Sequence, residues 1–475
     1  MNYTNKKSSK NKVVYNGTKA ENVKIAYIGG GSRGWAWGLM TDLAKSEDMS
    51  GYVYLYDIDF NAAKANEVIG NGLKESDECK SVWEYKAVKT IGEALADATF
   101  VVISILPGTF DEMESDVHAP EKYGIYQPVG DTTGPGGIVR ALRTIPMIQE
   151  IARAVEEYCP DAWVINYTNP MAMCVKTLYE TFPKIKAFGC CHEVFGTQSL
   201  LKAALEKLCD IKDAKREDIN INVLGVNHFT WITRAQYKNI DLIKLYREFI
   251  DFSRELNFEV GSDDNWINKH YISGQKVKFD LFDRYGYIAA TGDRHLSEFC
   301  PREWYLKDPK KVEDFGFELT TVKWRKEDLK ERLEKSRKLL SGEEKFEFKE
   351  TGEEGVNQMR AILGLGKLIT NVNMPNMGQI PNLPIGAVVE TNACFRSDCV
   401  EPVFAGKIPD NIYPLIVRNV SEQLEVVKGA IDRDLNRVYN AFVNDQLVSI
   451  DLDDAKELFD KMIDNTKGYL KDYKI

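Results

Sequence analysis

Apolar residues in the first 200 positions are grouped in short runs, with helix-like segments between them. Mainly apolar runs of strand length lie at 23–28, 52–56, 98–106, 162–167 and 186–189. Segments with apolar residues every three or four positions lie at 35–43, 61–72 and 145–157. Strands that alternate with helices form βαβ units, whose parallel strands are buried on both faces. The pattern therefore predicts an α/β fold with a doubly wound parallel sheet.

The regular alternation ends near residue 197. Beyond it lie an apolar run at 219–226, a charged helical segment at 323–340, and amphipathic segments at 413–442 and 451–472. The first 21 residues are rich in Lys, Asn and Ser and lack the apolar run of a secretory signal. We therefore expect a disordered polar tail at 1–21, a first domain at 22–197 and a C-terminal mixed α+β domain at 198–475.

A glycine-rich segment joins the first predicted strand to the first predicted helix. In it, Gly29, Gly31 and Gly34 have the G-x-G-x-x-G spacing of a dinucleotide-binding turn. The first glycine permits a tight turn, the second lets the backbone approach a pyrophosphate, and the third lets helix and strand pack closely. The loop residues expected to contact the dinucleotide are Gly29, Gly30, Gly31, Ser32, Arg33 and Gly34.

Asp57 ends the second predicted strand, 23 residues after Gly34. A carboxylate there accepts hydrogen bonds from the adenosine ribose and repels the extra phosphate of NADP. This favours NAD as the cofactor and a Rossmann-like first domain, similar to that of lactate and malate dehydrogenases. The alternative is a glycine-rich turn followed by an aspartate that only caps a helix.

Composition narrows the class of protein. The 62 basic and 72 acidic residues give a net charge of −10, which does not suit a nucleic-acid backbone. The nine cysteines are odd in number and contain no CxxC pair, as expected for reduced thiols in the cytoplasm. No run of about 18 apolar residues predicts a membrane-spanning helix. We expect a cytoplasmic enzyme that binds neither nucleic acid nor a membrane.

Two side chains that can bind a metal ion follow predicted strands. Cys191 comes after the run at 186–189, and His228 comes after the run at 219–226. Ligands of open α/β sheets bind at the carboxyl ends of the strands, where both side chains are expected. A thiolate and an imidazole suit a first-row divalent ion. Spacing alone leaves open the alternative that each residue is structural.

Six short motifs along the chain form a recognisable series. They are GGGSRG at 29–34, DTTGPGG at 131–137, NYTNP at 166–170, CHE at 191–193, GVNH at 225–228 and NMGQIPNLP at 376–384. In these motifs and in their order the chain resembles glycoside hydrolase family 4, the glycosidases that depend on NAD and manganese. The resemblance spans most of the sequence.

The resemblance implies glycoside cleavage through temporary oxidation of the sugar, an exception to the usual pair of carboxylates. NAD takes a hydride from carbon 3, a base removes the proton on carbon 2, and the glycosidic oxygen leaves by elimination. Water then adds and the hydride returns. By the same resemblance, Cys191 and His228 bind the divalent ion, which polarises the carbon-3 oxygen, and Asn169 contacts the sugar.

The resemblance also implies candidates for the acid and the base. Asp293 matches an aspartate that lies near the sugar in some members, and we expect it to be the base. A tyrosine, Tyr287 or the nearby Tyr285, is one alternative, and an ion pair of Asp293 with its neighbouring arginine is another. His192 is expected to be the general acid or a hydrogen-bond donor to the substrate. Asp131 binds substrate hydroxyls or stabilises a turn.

The residue after the metal-binding cysteine indicates which sugar the enzyme cleaves. Relatives that cleave 6-phosphoglycosides carry Asn or Asp there, whereas this chain has His192. The segment 191–196 is similar to the α-galacturonidase branch, whose substrates carry a carboxylate that Arg294 and His295 can bind. An α-glucosidase, α-galactosidase or α-glucuronidase of the same family is an alternative, as is a hydroxyacid dehydrogenase.

The expected partner is a small oligosaccharide or uronate substrate. Because family members are commonly dimers or tetramers, the resemblance also implies a homodimer or homotetramer. We expect the first domain to bind NAD, and the second domain to hold substrate, metal and subunit contacts.

Overall fold

The computed structural model describes residues 12–255, 274–349 and 351–474. The strands are β1 (Val14–Asn16), β2 (Lys19–Ile28), β3 (Met49–Tyr56), β4 (Trp83–Val88), β5 (Phe100–Ile103), β6 (Trp163–Asn166), β7 (Lys186–Gly189), β8 (Asn220–Val226), β9 (Phe229–Tyr237), β10 (Ile240–Asp241), β11 (Ile288–Ala289), β12 (Leu368–Pro375), β13 (Val388–Arg396) and β14 (Cys399–Pro402). The helices are α1 (Trp35–Lys45), α2 (Phe60–Gly72), α3 (Ile91–Leu95), α4 (Phe110–His118), α5 (Gly134–Tyr158), α6 (Met171–Thr181), α7 (Glu193–Cys209), α8 (Leu242–Glu255), α9 (Lys276–Tyr285), α10 (Asp293–Glu298), α11 (Arg302–Tyr305), α12 (Pro309–Asp314), α13 (Val322–Ser341), α14 (Gly355–Ile362), α15 (Tyr413–Asp432), α16 (Leu435–Asn444) and α17 (Leu452–Thr466). None of the described helices has the length and apolar character needed to cross a membrane.

One ten-stranded sheet forms the centre of the molecule. Its parallel part has the order β4-β3-β2-β5-β6-β7, which is the strand order of a Rossmann fold. Beyond β7, the strands β12, β13 and β14 continue the sheet in antiparallel pairing. The predicted doubly wound parallel sheet is confirmed.

Helices on both faces explain why the parallel strands are so apolar. All four residues of β5 and all four of β6 are buried. One face of the sheet packs against α5, and the other packs against α1 and α14. Burial on both faces aligns the carboxyl ends of the parallel strands along one edge, where loops can supply functional side chains.

The main sheet draws strands from both predicted domains. β12 to β14 come from the C-terminal half, and β12 pairs with β7 through Asn373 and Gly189. The boundary predicted near residue 197 falls between β7 and β8, so it does not separate two independent sheets. A smaller sheet of β8 to β11 packs with α7, α8 and α9.

The predicted N-terminal tail is ordered in its last part. Residues 1–11 lie outside the described residues, but β1 and the start of β2 occupy 14–21, so the prediction of disorder there was wrong. The two strands pair antiparallel across a turn in which Gly17 has a φ of +64°. Because β1 has only three residues and all three are exposed, it has no apolar periodicity by which a strand could be predicted.

Candidate active site

The glycine-rich loop lies between β2 and α1. Gly29 has a φ of +95°, and a Cβ on it would lie 2.0 Å from the carbonyl oxygen of Ser104. A Cβ on Gly31 would lie 2.6 Å from the Cβ of Ala62. At the start of α1, Gly34 provides no side-chain cap, so the first N–H groups of that helix are left for an anion.

Asp57 lies directly after β3, as predicted, and stabilises the loop. Its Oδ2 accepts a hydrogen bond of 2.9 Å from the N–H of Gly31, and its Oδ1 accepts one of 2.9 Å from the N–H of Asp59. Ser32 and Arg33, also in the loop, are half-buried. The carboxylate therefore couples the end of the second strand to the glycine turn.

Three side chains form a group suited to a metal ion. One ligand atom from each of Asp131, His228 and His295 lies within 4.8 Å of the other two. The two imidazole rings stack, with centroids 3.9 Å apart and planes at 27°. Asp131 precedes α5, His228 lies in the turn between β8 and β9, and His295 is in α10. The fold thus assembles the group from three distant parts of the chain.

Thr132 connects Asp131 to His228. Its hydroxyl donates to Oδ1 of Asp131 at 2.6 Å, and its Oγ1 lies 3.0 Å from Nδ1 of His228. Since the hydroxyl hydrogen points to Asp131, Nδ1 donates to Thr132 and Nε2 keeps its lone pair. Burial, and next the adjacent His295, lower the pKa of His228 to about 3. The neutral imidazole is the form that binds a divalent ion.

Asn169 extends the group from the end of β6. Its Nδ2 donates to Oδ2 of Asp131 at 3.1 Å, and its carbonyl oxygen accepts from Nε of Arg140 at 3.2 Å. Its Oδ1 is buried and has no hydrogen-bond partner among the described residues. Burial opposes the charge of Asp131, but the two histidines and Arg140 lower the pKa of its carboxyl below the ordinary value.

Cys191, at the end of β7, lies outside the group of three ligands. Its carbonyl oxygen accepts from Nδ2 of Asn371 at 3.1 Å. Burial, and next the carboxylate of Glu390, raise the pKa of the thiol, whereas a hydrogen bond with Asn227 lowers it. Because Asn227 precedes His228, the predicted ligands Cys191 and His228 occupy neighbouring parts of the site.

Asp293 is fully buried at the start of α10. Its carboxylate accepts hydrogen bonds from the N–H groups of Val277, at 3.4 Å, and Lys278, at 3.1 Å, in the first turn of α9. Burial lowers the pKa of the Lys278 ammonium to about 8, although Asp293 opposes this. These contacts tie α10 to α9 and favour a structural role for Asp293. Its role as a base stays a prediction.

Arg294 and Tyr287 lie beside other parts of the C-terminal half. Nη1 of Arg294 donates to Oγ1 of Thr320 at 2.6 Å, and the side chain is 7% exposed. Tyr287 is half-buried against the C-terminal apolar core. Their expected parts in carboxylate binding and in catalysis stay predictions.

His192 and Glu193 stand at the start of α7. Nδ1 of His192 lies 2.8 Å from Oε1 of Glu353. Burial lowers the pKa of His192, but Glu353 more than offsets this and raises it to about 9. Oε2 of Glu193 accepts from the N–H of Gly292 at 2.8 Å, and its Oε1 lies 3.9 Å from Nε2 of His295. The start of α7 therefore adjoins the metal-binding group.

Several residues that hold the site were not identified from the sequence. They are Asn66, Thr132, Glu193, Glu298, Glu353 and Glu390. Glu298 is an example, because its Oε1 accepts from the N–H groups of Val129, at 2.7 Å, and Gly130, at 2.9 Å, just before Asp131. Thr132 and Glu193 at least lie within motifs, whereas the other four act on distant residues and show no local signal.

The residues present fit both a metal ion and a dinucleotide. Two imidazoles and a carboxylate suit manganese, iron, cobalt or nickel. Within the described chain, Oδ1 of Asn169 and Nδ1 of His295 are buried without hydrogen-bond partners, as expected where a ligand completes the site. The tight glycine loop and the uncapped start of α1 fit a pyrophosphate.

Comparison with known proteins supports this assignment. The family model for family 4 glycosyl hydrolases matches residues 24–207, and that for the C-terminal domain of the same family matches residues 223–448. An α-galacturonidase from Thermoanaerobacterium saccharolyticum (strain DSM 8691 / JW/SL-YS485) is 62% identical over 461 residues, which cover 97% of this chain and 99% of the relative.

Solved structures agree with the family models. The crystal structure of a protein described as a glucosidase from Bacillus subtilis is 50% identical in sequence to this chain and has a TM-score of 0.88. The match covers 93% of this chain and 100% of that chain. The 6-phospho-β-glucosidase from Thermotoga maritima, solved with manganese, NAD+ and glucose-6-phosphate, shares the fold at 22% identity. Its TM-score is 0.74, with 94% of this chain and 99% of that chain covered. The chain therefore belongs to family 4 of the glycosyl hydrolases.

Proposed function

We propose that the chain is an α-galacturonidase that depends on NAD and on a divalent metal ion, manganese. The observation that carries the proposal is the group of Asp131, His228 and His295, which Asn169 joins to the sheet edge where the glycine loop lies. The 62% identity to an α-galacturonidase supports the choice of sugar. A family 4 fold solved with NAD+ and manganese supports the cofactors.

The two cofactors divide the chemistry. When bound, NAD takes and returns the hydride of sugar carbon 3, and the metal ion acts as a Lewis acid on the oxygen of that carbon. The loop from Gly29 to Gly34 holds the dinucleotide phosphates, and Asp57 selects NAD over NADP. Asp131, His228 and His295 hold the ion, with Cys191 as a further ligand from the neighbouring strand end.

The remaining residues handle the sugar. Asn169 offers its unpartnered Oδ1 to a sugar hydroxyl. His192 supplies a proton or a hydrogen bond to the leaving group. Asp293 and Tyr287 are the candidates for the base, and the first of these is already engaged with α9. Arg294 contributes positive charge for the uronate carboxylate.

Digestion of three glycosides tests the proposed activity. Digalacturonate, a neutral α-glucoside and a 6-phospho-α-glucoside are incubated with the chain, NAD, manganese and a thiol reductant. We expect cleavage of digalacturonate, arrest by a chelator, and full turnover with catalytic amounts of NAD. Faster cleavage of the neutral or phosphorylated compound would overturn the assignment of the sugar.

We also propose that the chain acts as a homodimer or homotetramer in the cytoplasm. Met377, Ile385 and Phe404 are 76%, 71% and 69% exposed and offer apolar surface for subunit contact. All nine cysteines are free, which suits a reducing compartment. Light scattering should give two or four times the chain mass of 54.0 kDa, and a single-chain mass would contradict the proposal.

A further inference from the structure

The segment between α13 and α14 brings a carboxylate to the active site. The residues between these helices follow the charged helical segment predicted at 323–340 and contain none of the six motifs. In the fold, Oγ1 of Thr351 donates to Oδ2 of Asp42 on α1 at 2.5 Å. Glu354 forms an ion pair with Arg216, which stacks on the ring of Phe195. Contacts on both sides therefore hold residues 351–354 beside α1 and α7.

Glu353 lies in the middle of this anchored segment. Its N–H donates to Oγ1 of Thr351 at 3.0 Å. Its side chain is 11% exposed and lines a cavity with Gly34, Trp35 and Tyr167. Because Gly34 ends the dinucleotide loop, this cavity adjoins the cofactor site. The basic group paired with Glu353 is His192, at 2.8 Å.

The two ring nitrogens of His192 are in different surroundings. Nδ1 lies 2.8 Å from Oε1 of Glu353, an ion-pair contact. Nε2, on the opposite edge of the ring, and both carboxylate oxygens of Glu353 are buried without a hydrogen-bond partner in the described part of the chain, so a small rotation of the ring is enough to direct the Nδ1 hydrogen to Glu353. The ring also packs near Trp35, with centroids 6.0 Å apart. Its position before α7 is fixed by the hydrogen bond from the N–H of Phe195 to its carbonyl oxygen, at 2.8 Å.

We propose that Glu353 is a positioning residue that acts through His192. It accepts the hydrogen of Nδ1, which fixes the rotation of the ring and leaves Nε2 to contact the glycoside. A carboxylate beside an imidazole has this orienting effect because the bond at one nitrogen determines what the other can do. The inference rests on the proposed function only in naming a glycoside as the ligand.

Nitrogen-15 spectroscopy of the histidine rings tests the orientation in the full chain. The chain has five histidines, so His192→Asn identifies the signal of His192 by its loss. We expect Nδ1 of His192 to carry a proton in the wild type and to lose that proton in Glu353→Ala. In Glu353→Gln a neutral oxygen accepts the bond, so the Nδ1 proton should move upfield, and this variant decides the matter if Glu353→Ala does not fold.

Glu354→Gln is the matched control, because it changes the adjacent buried carboxylate that pairs with Arg216 instead. Its His192 signal should equal that of the wild type. An unchanged His192 signal in Glu353→Ala and Glu353→Gln would overturn the proposal, and so would an equal change in Glu354→Gln.

A double-mutant cycle tests whether Glu353 acts through His192. The readout is the affinity for galacturonic acid, measured by calorimetry with NAD and manganese present. Glu353→Ala should weaken binding about tenfold when His192 is present and less than about twofold when it is combined with His192→Asn. Equal losses in both backgrounds would overturn the proposal. If the wild type does not bind the acid, the proposed sugar is wrong, while the spectra still report on Glu353.

Discussion

At the residue scale, the glycine loop provides a steric test of cofactor binding. In Gly31→Ala the new Cβ would lie 2.6 Å from Ala62 Cβ and 2.9 Å from Oδ2 of Asp57. Overpacking of this kind costs about 1–3 kcal/mol, so we expect NAD affinity to fall by about a factor of ten or more. Fluorescence titration with NADH measures this affinity.

Gly72→Ala is the control for this substitution. Gly72 ends α2, and no atom lies within 4 Å of where its Cβ would be. Alanine is the better helix former there, so stability should rise by up to about 1 kcal/mol while NADH affinity is unchanged. Equal NADH affinity in both variants would show that the loop does not need glycine at position 31.

A second experiment at the residue scale tests which side chains bind the metal ion. His295→Ala removes one imidazole of the group of three ligands, and we expect Mn²⁺ affinity to fall about 10- to 100-fold. Free Mn²⁺ is measured by electron paramagnetic resonance. His118→Ala is the control, because His118 ends α4 and pairs with Glu121 outside the metal-binding group. Wild-type affinity in His295→Ala would indicate that Cys191 and His228 suffice.

At the element scale, substitutions of Asp293 test whether this residue holds two helices together or acts as the catalytic base. Asn keeps one acceptor for the N–H groups of α9, so Asp293→Asn should lower kcat less than about tenfold. Asp293→Ala should also lower stability by about 1–2 kcal/mol. A loss of about 10²- to 10⁴-fold in Asp293→Asn, with unchanged stability, would instead identify the base.

Asp308→Ala is the control for the helix contact. Asp308 caps α12 by accepting from the N–H of Lys311 at 2.9 Å. Its loss should cost similar stability, measured by denaturant unfolding, with kcat unchanged. A fall in kcat here would show that general destabilisation lowers activity, so that the kinetics of Asp293→Ala could not be assigned to the site.

Strands and helices with their own apolar pattern were predictable. Very short strands, and strands recognisable only by their pairing with a distant strand, were not. The runs at 52–56 and 186–189 lie in β3 and β7 because strands covered by helices are largely apolar. β12 and β13 were missed because they are recognisable only as partners of a distant strand. Likewise, no local pattern indicates that the segment after α13 approaches His192.

At the scale of the whole molecule, two buried carboxyls join the C-terminal helices to α5. Glu422 and Asp445 lie 3.5 Å and 3.4 Å from Oγ1 of Thr133, and Asp445 accepts from the N–H of Gly134 at 3.2 Å. Burial raises the pKa of both, and the charge of Asp445 raises that of Glu422 further. The folded chain thus retains protons that the unfolded chain releases.

This linkage predicts how stability depends on pH. Above the ordinary carboxyl pKa of 4.5, the folded state binds more protons, so stability falls as pH rises through the raised pKa. Glu422→Gln removes a titrating group and should flatten the decline in Tm at pH values above the ordinary carboxyl pKa of 4.5. Glu425→Gln, in an exposed residue of α15, should leave the slope unchanged. An unaltered slope in Glu422→Gln would contradict the prediction.

Local patterns in the chain were enough to specify the Rossmann half, the glycine turn with Asp57, and the identity of the family. Through the family resemblance, the sequence also indicated Asp131, Asn169 and His295 as candidate substrate contacts and His228 as a candidate metal ligand. Folding alone determined that His228 stacks on His295 beside Asp131 and that Glu353 reaches His192. These contacts join residues far apart in sequence, and their geometry depends on how whole helices and sheets pack.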